Sequence, residues 1–125
     1  MGNIITQMDF NQIFRDRTKK FSLEIIKSLS PLPYSDAVSI IRKQIIRSST
    51  SVASNYRAVC RARSEKEKFA KICIVVEEID ETQFWLEIIE DLEYLEDKKL
   101  LLLKSECEEL VKVMTTYKHK LSQNL

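Results

Sequence analysis

The residues best suited to chemistry form a stripe of cationic and hydroxyl side chains in the middle of the sequence. They repeat at intervals of four, three, four, three and four residues: Lys43, Arg47, Thr50, Ser54, Arg57 and Arg61. At about 100° per residue, this spacing places all of them on one side of a helix. Guanidinium, ammonium and hydroxyl groups are common donors to phosphate oxygens. The stripe therefore predicts a nucleic-acid contact, with Tyr56 as a further donor nearby.

The same cations have a second interpretation, because an acidic segment follows them. Residues 33–63 contain six Lys or Arg and one acid, a net charge of +5, whereas residues 64–96 contain three and eleven, a net charge of −8. Segments of opposite charge attract one another. The arginines could therefore pair with Glu77, Glu81 or Glu87 of the same or a neighbouring subunit. The protein would then be a structural or scaffolding oligomer without a nucleic-acid role.

A second group of polar residues borders the apolar seams of the two central helices. It comprises Ser48, Asn55, Glu78, Glu81 and Thr82. A polar group left unpaired in a helix interface costs about 1–3 kcal/mol. We expect these residues to form an inter-helix network in which Glu78 or Glu81 accepts from Asn55. Solvated positions at the rim of the interface are the alternative.

Residues typical of catalysis or metal binding do not form a recognisable pattern. His119 is the single histidine, and no Glu stands three residues before it, as a di-iron helical bundle requires. Serine, cysteine and histidine form no local nucleophile signature. Neighbouring carboxylates suit surface or interface charges better than an acid/base pair: Glu77, Glu78, Asp80 and Glu81. We predict a non-enzymatic protein without a metal or cofactor.

The cysteines and the hydropathy pattern indicate a cellular location. Cys60, Cys73 and Cys107 are widely spaced and odd in number, and the sequence begins without a signal-peptide pattern. These features favour free thiols in a reducing cytoplasm. No apolar run approaches the roughly 20 residues of a membrane-spanning helix. We expect a cytoplasmic protein that does not cross a membrane.

The composition predicts an all-α fold that must position the stripe. With 1 Gly and 2 Pro, the chain lacks the turn residues that a β-sandwich or barrel needs. Helical periodicity predicts helices over about residues 9–29, 35–63, 65–92 and 97–121. Short joints between helices of this length are typical of an antiparallel up-down-up-down four-helix bundle. We expect one domain spanning residues 1–125.

Local signals predict the helix ends and the buried faces. Asp9 is expected to cap the first helix, and Ser35 or Asp36 the second. Ser64 and Glu67 form a capping box before the third helix, and a turn without glycine is expected near residues 93–97. The first helix is expected to bury Phe10, Ile13, Phe14, Phe21 and Ile25.

Motifs in the two central helices resemble a known bacterial family. The resemblance lies in Gln44, Arg47 to Val52, Asn55 to Arg57, Ser64, Phe69, Lys71, Glu78 to Thr82 and Phe84 to Leu86. The family comprises four-helix-bundle proteins encoded in intervening sequences of large-subunit ribosomal RNA genes. The similarity extends from about Phe21 to Leu121. In two positions the chain departs from the family pattern, which usually has an acid at Ala58 and often a base at Glu77.

The resemblance implies an antiparallel four-helix bundle without an established enzymatic activity. The chain is also similar to the accessory protein of diversity-generating retroelements, a related bundle that forms a pentameric ring with a positive interior and binds nucleic acid. By this analogy of fold, we expect a homo-oligomer, most simply a pentamer, whose stripe binds RNA or DNA. Several copies of the stripe around one opening would strengthen otherwise weak, salt-sensitive binding.

Overall fold

The computed structural model describes residues 6–125, and every regular element in this part of the chain is an α-helix. The helices are α1 (Gln7–Leu29), α2 (Asp36–Cys60), α3 (Glu65–Asp91) and α4 (Asp97–Ser122). Each packs on the next one along the chain, and α1 closes the bundle against α4. Packing is most extensive between α2 and α3 and least extensive between α1 and α4. The predicted up-down-up-down four-helix bundle is confirmed.

Hydroxyl side chains begin the first three helices. Thr6, Ser35 and Ser64 each accept a hydrogen bond from the backbone N–H three residues later, at 3.0 Å. Each bond satisfies one of the amides that a helix start leaves unpaired. Ser35 is thus the cap of α2. The prediction of Asp9 as the cap of α1 was wrong, because the helix starts at Gln7 and Asp9 lies in its first turn.

The turn between α3 and α4 forms without glycine, as expected. Glu93 takes a left-handed conformation with φ 56°, which glycine usually adopts after a helix. The N–H groups of Glu93 and Tyr94 donate to the carbonyl groups of Glu90 and Ile89 at 3.0 and 3.1 Å. This Schellman pattern satisfies carbonyls at the end of α3 and turns the chain toward α4. Helix α2 ends at Cys60, three residues before the predicted boundary.

The interior of the bundle is one apolar cluster to which all four helices contribute. The apolar faces of α2, α3 and α4 are buried, and Tyr56 and Cys107 within them are both 0% exposed. In α1 one predicted core residue was wrong: Ile13 is 41% exposed, while Thr18 and Ser22 are buried. The face of α1 is therefore rotated slightly from the predicted one, because Thr18 can satisfy its hydroxyl on the Phe14 carbonyl at 2.7 Å.

Candidate nucleic-acid interface

The predicted stripe lies on the outer face of α2 and at its C-terminal end. Lys43, Arg47, Ser54, Arg57 and Arg61 are exposed, and Thr50 is half-buried. Arg61 is the residue that caps the C-terminus of the helix. The α2 helix lies between α1 and α3, so the two ends of the stripe can reach different neighbours.

Arg47 is bound by the acidic helix of its own chain. One guanidinium nitrogen, Nη1, donates to Oε2 of Glu78 at 3.0 Å, and Nη2 donates to Oε2 of Glu81. The bond to Glu81, together with the charges of both carboxylates, raises the pKa of Arg47. Glu81 also accepts from the indole N–H of Trp85 at 3.2 Å. Arg47 is therefore committed to the α2–α3 contact, and Lys43 is exposed without a described ion pair.

Arg57 and Arg61, at the C-terminal end of the stripe, lie along a groove between α1 and α2. The groove has a volume of about 530 Å³, and Arg15 and Lys19 of α1 also line it. Among residues 6–125, none of these four cations forms an ion pair with a carboxylate. The tertiary structure thus collects four positive side chains from two helices around one concave surface. Such a surface concentrates positive potential and attracts polyanions.

Among residues 6–125, Asp16 is the carboxylate that lines this groove, and Gln12 links it to Arg15. Gln12 donates to Asp16 Oδ1 at 2.9 Å and accepts from Nη2 of Arg15 at 2.8 Å. The Gln12 side chain therefore holds Arg15 in a fixed direction without neutralising it. All three residues are exposed or half-buried, so the groove is open to a ligand from solution.

The hydroxyl groups of the groove are less available than the sequence suggested. Thr50 donates to the Ile46 carbonyl at 2.7 Å, and Ser54 to the Ser51 carbonyl at 3.3 Å. Both residues line the groove, but their hydroxyl protons are used within the helix. The assignment of Tyr56 as a phosphate donor was wrong, because its side chain is completely buried in the core. The guanidinium and ammonium groups are therefore the main donors of the groove.

Sequence reasoning missed the contribution of α1 to this surface. The sequence analysis gave Arg15 and Lys19 no role, although their spacing of four residues places them on one flank of a helix. Their neighbour Arg17 points toward α4, where Glu106 binds it through two bonds of 3.1 and 2.6 Å. The packing of α1 between α2 and α4 therefore places Arg15 and Lys19 at the groove and Arg17 at the contact with α4. The i, i+4 spacing was the available signal, but it does not tell which helix lies alongside.

The predicted polar network is present in part. Ser48 and Thr82 are fully buried, and their hydroxyl oxygens lie 2.8 Å apart across the α2–α3 interface. Thr82 also donates to the carbonyl of Glu78 at 2.8 Å. Because buried hydroxyls must find partners, this pair favours one register of α2 against α3.

The expected bond from Asn55 to Glu78 or Glu81 was wrong. The Asn55 amide donates instead to the carbonyl and the hydroxyl of Ser51, at 2.9 and 3.0 Å, within its own helix. Its side chain is only half-buried and does not need a partner on α3. The two glutamates are available to Arg47 for the same reason.

Burial holds two of the three thiols in the protonated form. It raises the pKa of Cys107 to about 12 and also raises the pKa of Cys60. A thiol is a weak nucleophile unless it loses its proton, so these environments do not activate either residue. Burial also raises the pKa of Tyr56. Within residues 6–125 its hydroxyl has no partner in hydrogen-bonding geometry, although the Cys60 thiol lies nearby.

In the part of the chain that the structure describes, no three His, Cys, Asp or Glu side chains are grouped as metal ligands. No helix within residues 6–125 is both long enough and apolar enough to cross a membrane.

Comparison with known families agrees with the fold and its motifs. The family model described as 23S rRNA-intervening sequence protein matches residues 11–116. The chain belongs to this family. Both central helices lie within the matched range. No match was found among curated proteins.

A solved structure extends the comparison to the arrangement of the helices. It is the crystal structure, at 1.70 Å resolution, of a protein of unknown function from the S23 ribosomal protein family of Bacteroides thetaiotaomicron VPI-5482. This protein is 25% identical to the chain, with a TM-score of 0.79. The match covers 87% of this chain and 97% of the other. The two proteins therefore share the whole bundle rather than a helix pair.

Proposed function

We propose that the protein is a non-enzymatic, self-associating bundle of the cytoplasm that binds nucleic acid, RNA first, through the groove between α1 and α2. The observation that carries this proposal is the grouping of Arg15, Lys19, Arg57 and Arg61 around one open groove. Unpaired like charges repel each other, and a polyanion would relieve that repulsion. The name of the family, which refers to 23S rRNA, supports RNA as the polymer to test first.

The lining of the groove favours contacts with the backbone of the nucleic acid. Among residues 6–125, no aromatic side chain lines it, so this part of the chain offers no platform on which bases could stack. Its cations can bind phosphates of any sequence. Affinity should therefore depend strongly on salt and weakly on base composition. Self-association would increase the number of grooves that one polymer reaches, and the five-subunit ring implied by the resemblance is the arrangement we propose.

The test is the salt dependence of binding to a single-stranded RNA. Arg57→Gln with Arg61→Gln should lower the affinity by about tenfold or more and reduce the salt slope by about one for each lost phosphate contact. Arg15→Gln with Lys19→Gln should have a comparable effect, because these residues line the same groove. Lys98→Gln with Lys99→Gln is the matched control, since it removes as much positive charge at exposed positions of α4, outside the groove.

An equal loss in the control variant would mean that net charge alone attracts RNA, and the groove would lose its role. Unchanged binding in both groove variants would contradict the proposal directly. Helicity measured by circular dichroism should stay the same, because the replaced residues are exposed or half-buried.

A structural oligomer without a nucleic-acid role is the second candidate, and one observation favours it. Arg47 is bound by Glu78 and Glu81, which shows that the acidic helix can bind arginine. In that case Arg57 and Arg61 would bind carboxylates of a neighbouring copy. Their replacement by Gln would then dissociate the oligomer in the absence of RNA, whereas the first proposal expects it to persist.

A further inference from the structure

The outer face of α3 has a second stripe of unpaired charges, opposite in sign to the groove. Between Ile72 and Asp91, seven acids occur without a Lys or Arg. Arg47 binds two of them and Lys104 binds Glu90. The remaining four have no ion pair within residues 6–125 and are exposed: Glu77, Asp80, Glu87 and Asp91.

These four acids surround an exposed aromatic residue. Phe84 is 48% exposed and lies between them at intervals of three and four residues, so all five share one side of α3. Its ring contacts the half-buried Trp85 edge to face, with 5.0 Å between the centroids. Large aromatic residues at the centre of a polar rim are typical of protein interfaces. We call this surface the α3 stripe.

The same chain contains a surface of complementary charge and spacing on α1. Lys20, Leu23 and Lys27 are all exposed, with Leu23 at 42%, and they follow one another at three and four residues. Within residues 6–125, neither lysine forms an ion pair. This α1 stripe has an apolar centre between two cations, whereas the α3 stripe has an apolar centre between two pairs of acids.

The two stripes match when their apolar centres are placed together. In an up-down-up-down bundle α1 and α3 point the same way, so a rotated second copy can bring its α1 beside α3 in parallel. With Leu23 opposite Phe84, Lys20 then lies one residue from the level of Asp80, and Lys27 one residue from that of Glu87. One residue of helix is about 1.5 Å, which a flexible lysine side chain easily spans.

We propose that the α3 stripe of one copy binds the α1 stripe of a second copy. The inference rests on the self-association that we propose above and names the surfaces responsible for it. Because the two surfaces differ, the contact is heterologous and repeats from copy to copy, closing into a ring when the rotation allows. Lys19 and the groove lie on the flank of α1 that faces α2, so this contact leaves the groove open.

Charge reversal tests the pairing. Asp80→Lys with Glu87→Lys should place cations against cations and weaken assembly. The protein concentration at which half of the chains are assembled should rise by about tenfold or more. Lys20→Glu with Lys27→Glu should do the same. The chain with all four changes restores opposite charges across the contact and should assemble again. Glu108→Lys with Glu109→Lys is the control, because it alters the net charge equally at exposed positions of α4.

Native mass spectrometry of nuclease-treated protein gives the stoichiometry, and the fluorescence of Trp85, the single tryptophan, reports burial of the α3 stripe. Oligomers that persist in both double variants would overturn the proposed contact while leaving self-association intact. The proposed contact would also be overturned if the chain with all four changes kept native helicity but did not assemble. Dissociation of the oligomer in the Glu108→Lys, Glu109→Lys control would overturn it as well. A wild-type protein that stays monomeric would overturn both proposals on assembly. Loss of RNA binding in the groove variants with the oligomer intact would support the separation of the two surfaces.

Discussion

The two ends of the basic stripe have opposite surroundings although they occupy the same face of α2. Arg47 lies beside α3, where Glu78 and Glu81 bind its guanidinium group. Arg57 and Arg61 lie beside α1, in a groove that Arg15 and Lys19 make more positive. The helical spacing is the same at both ends. The neighbouring helix therefore decides whether an arginine supports the fold or remains available to a ligand.

The buried hydroxyl groups of α2 also differ in whether they find hydrogen-bond partners. On the α3 side, the buried hydroxyls of Ser48 and Thr82 satisfy one another across the interface. Nearer the C-terminal end of α2, the buried hydroxyl of Tyr56 has no such partner within residues 6–125. The α3 side of α2 is thus satisfied both inside and outside, whereas the C-terminal part of the helix keeps unpaired groups. Departures from full pairing in a folded protein often mark functional regions.

The largest effect on stability should follow from removing the hydroxyl pair between α2 and α3. Thr82→Val removes the inter-helix partner of Ser48 at a fully buried contact and leaves Ser48 the Ile45 carbonyl of its own helix, so it should lower the free energy of unfolding by about 1–3 kcal/mol. Thr50→Val is the matched control, because Thr50 also bonds a carbonyl of its own helix but is half-buried at the groove, and it should cost about 0.5 kcal/mol or less. Urea denaturation measures both. Equal losses would show that the buried pair contributes nothing special.

Releasing Arg47 should make the two ends of the stripe more alike. Glu78→Gln with Glu81→Gln removes its carboxylate partners and should raise RNA affinity about three- to tenfold, with a steeper salt slope. Glu108→Gln with Glu109→Gln changes the net charge equally on α4 and serves as the control. Fluorescence anisotropy at several salt concentrations gives both quantities. An increase no greater than that of the control would leave Arg47 outside any binding surface.

The unpaired hydroxyl of Tyr56 can be removed directly. Tyr56→Phe keeps the ring in the core and eliminates a buried polar group, so we expect a gain of about 1 kcal/mol in the free energy of unfolding. Thermal and urea unfolding should agree on the sign. A loss of similar size would indicate that the Cys60 thiol, which lies close enough to raise the pKa of Tyr56, acts as a partner.

The smallest effect concerns the one carboxylate of the groove. Asp16→Asn removes its negative charge and retains an oxygen to accept from Gln12. RNA affinity should rise about threefold, because exposed charges at this distance interact weakly through water. Asp9→Asn, at an exposed position near the start of α1, controls for net charge. A decrease in affinity would mean that Asp16 orients the cations through Gln12 rather than opposing the ligand.

Much of the fold could be predicted because it depends on local patterns. The periodicity of apolar residues indicated the four helices, and hydroxyl residues marked the starts of α2 and α3. Errors arose where short-range signals competed. Thr6 precedes Asp9 as an equally good cap, and Ile13 and Thr18 fit two slightly different faces of α1.

The candidate site could be predicted only on the helix that contains the stripe. Spacing placed Arg57 and Arg61 on one face of α2, but it gave Arg47 the same standing. It also gave no reason to place Arg15 and Lys19 in the same site. An interaction between residues far apart in the sequence leaves no periodic signal in either segment, so the groove was not visible. The pairing of Arg47 with α3 appeared only as an alternative suggested by the opposite charges of the two segments.

The sequence by itself therefore determined the helices, their buried faces and the charge that each one carries, because these follow from intervals of three and four residues along one segment. The tertiary structure decided which charges meet. Packing placed α2 between an acidic and a basic neighbour, so that Arg47 joined Glu78 and Arg57 joined Arg15. Charges act across space rather than along the chain, and only the folded bundle sets those distances.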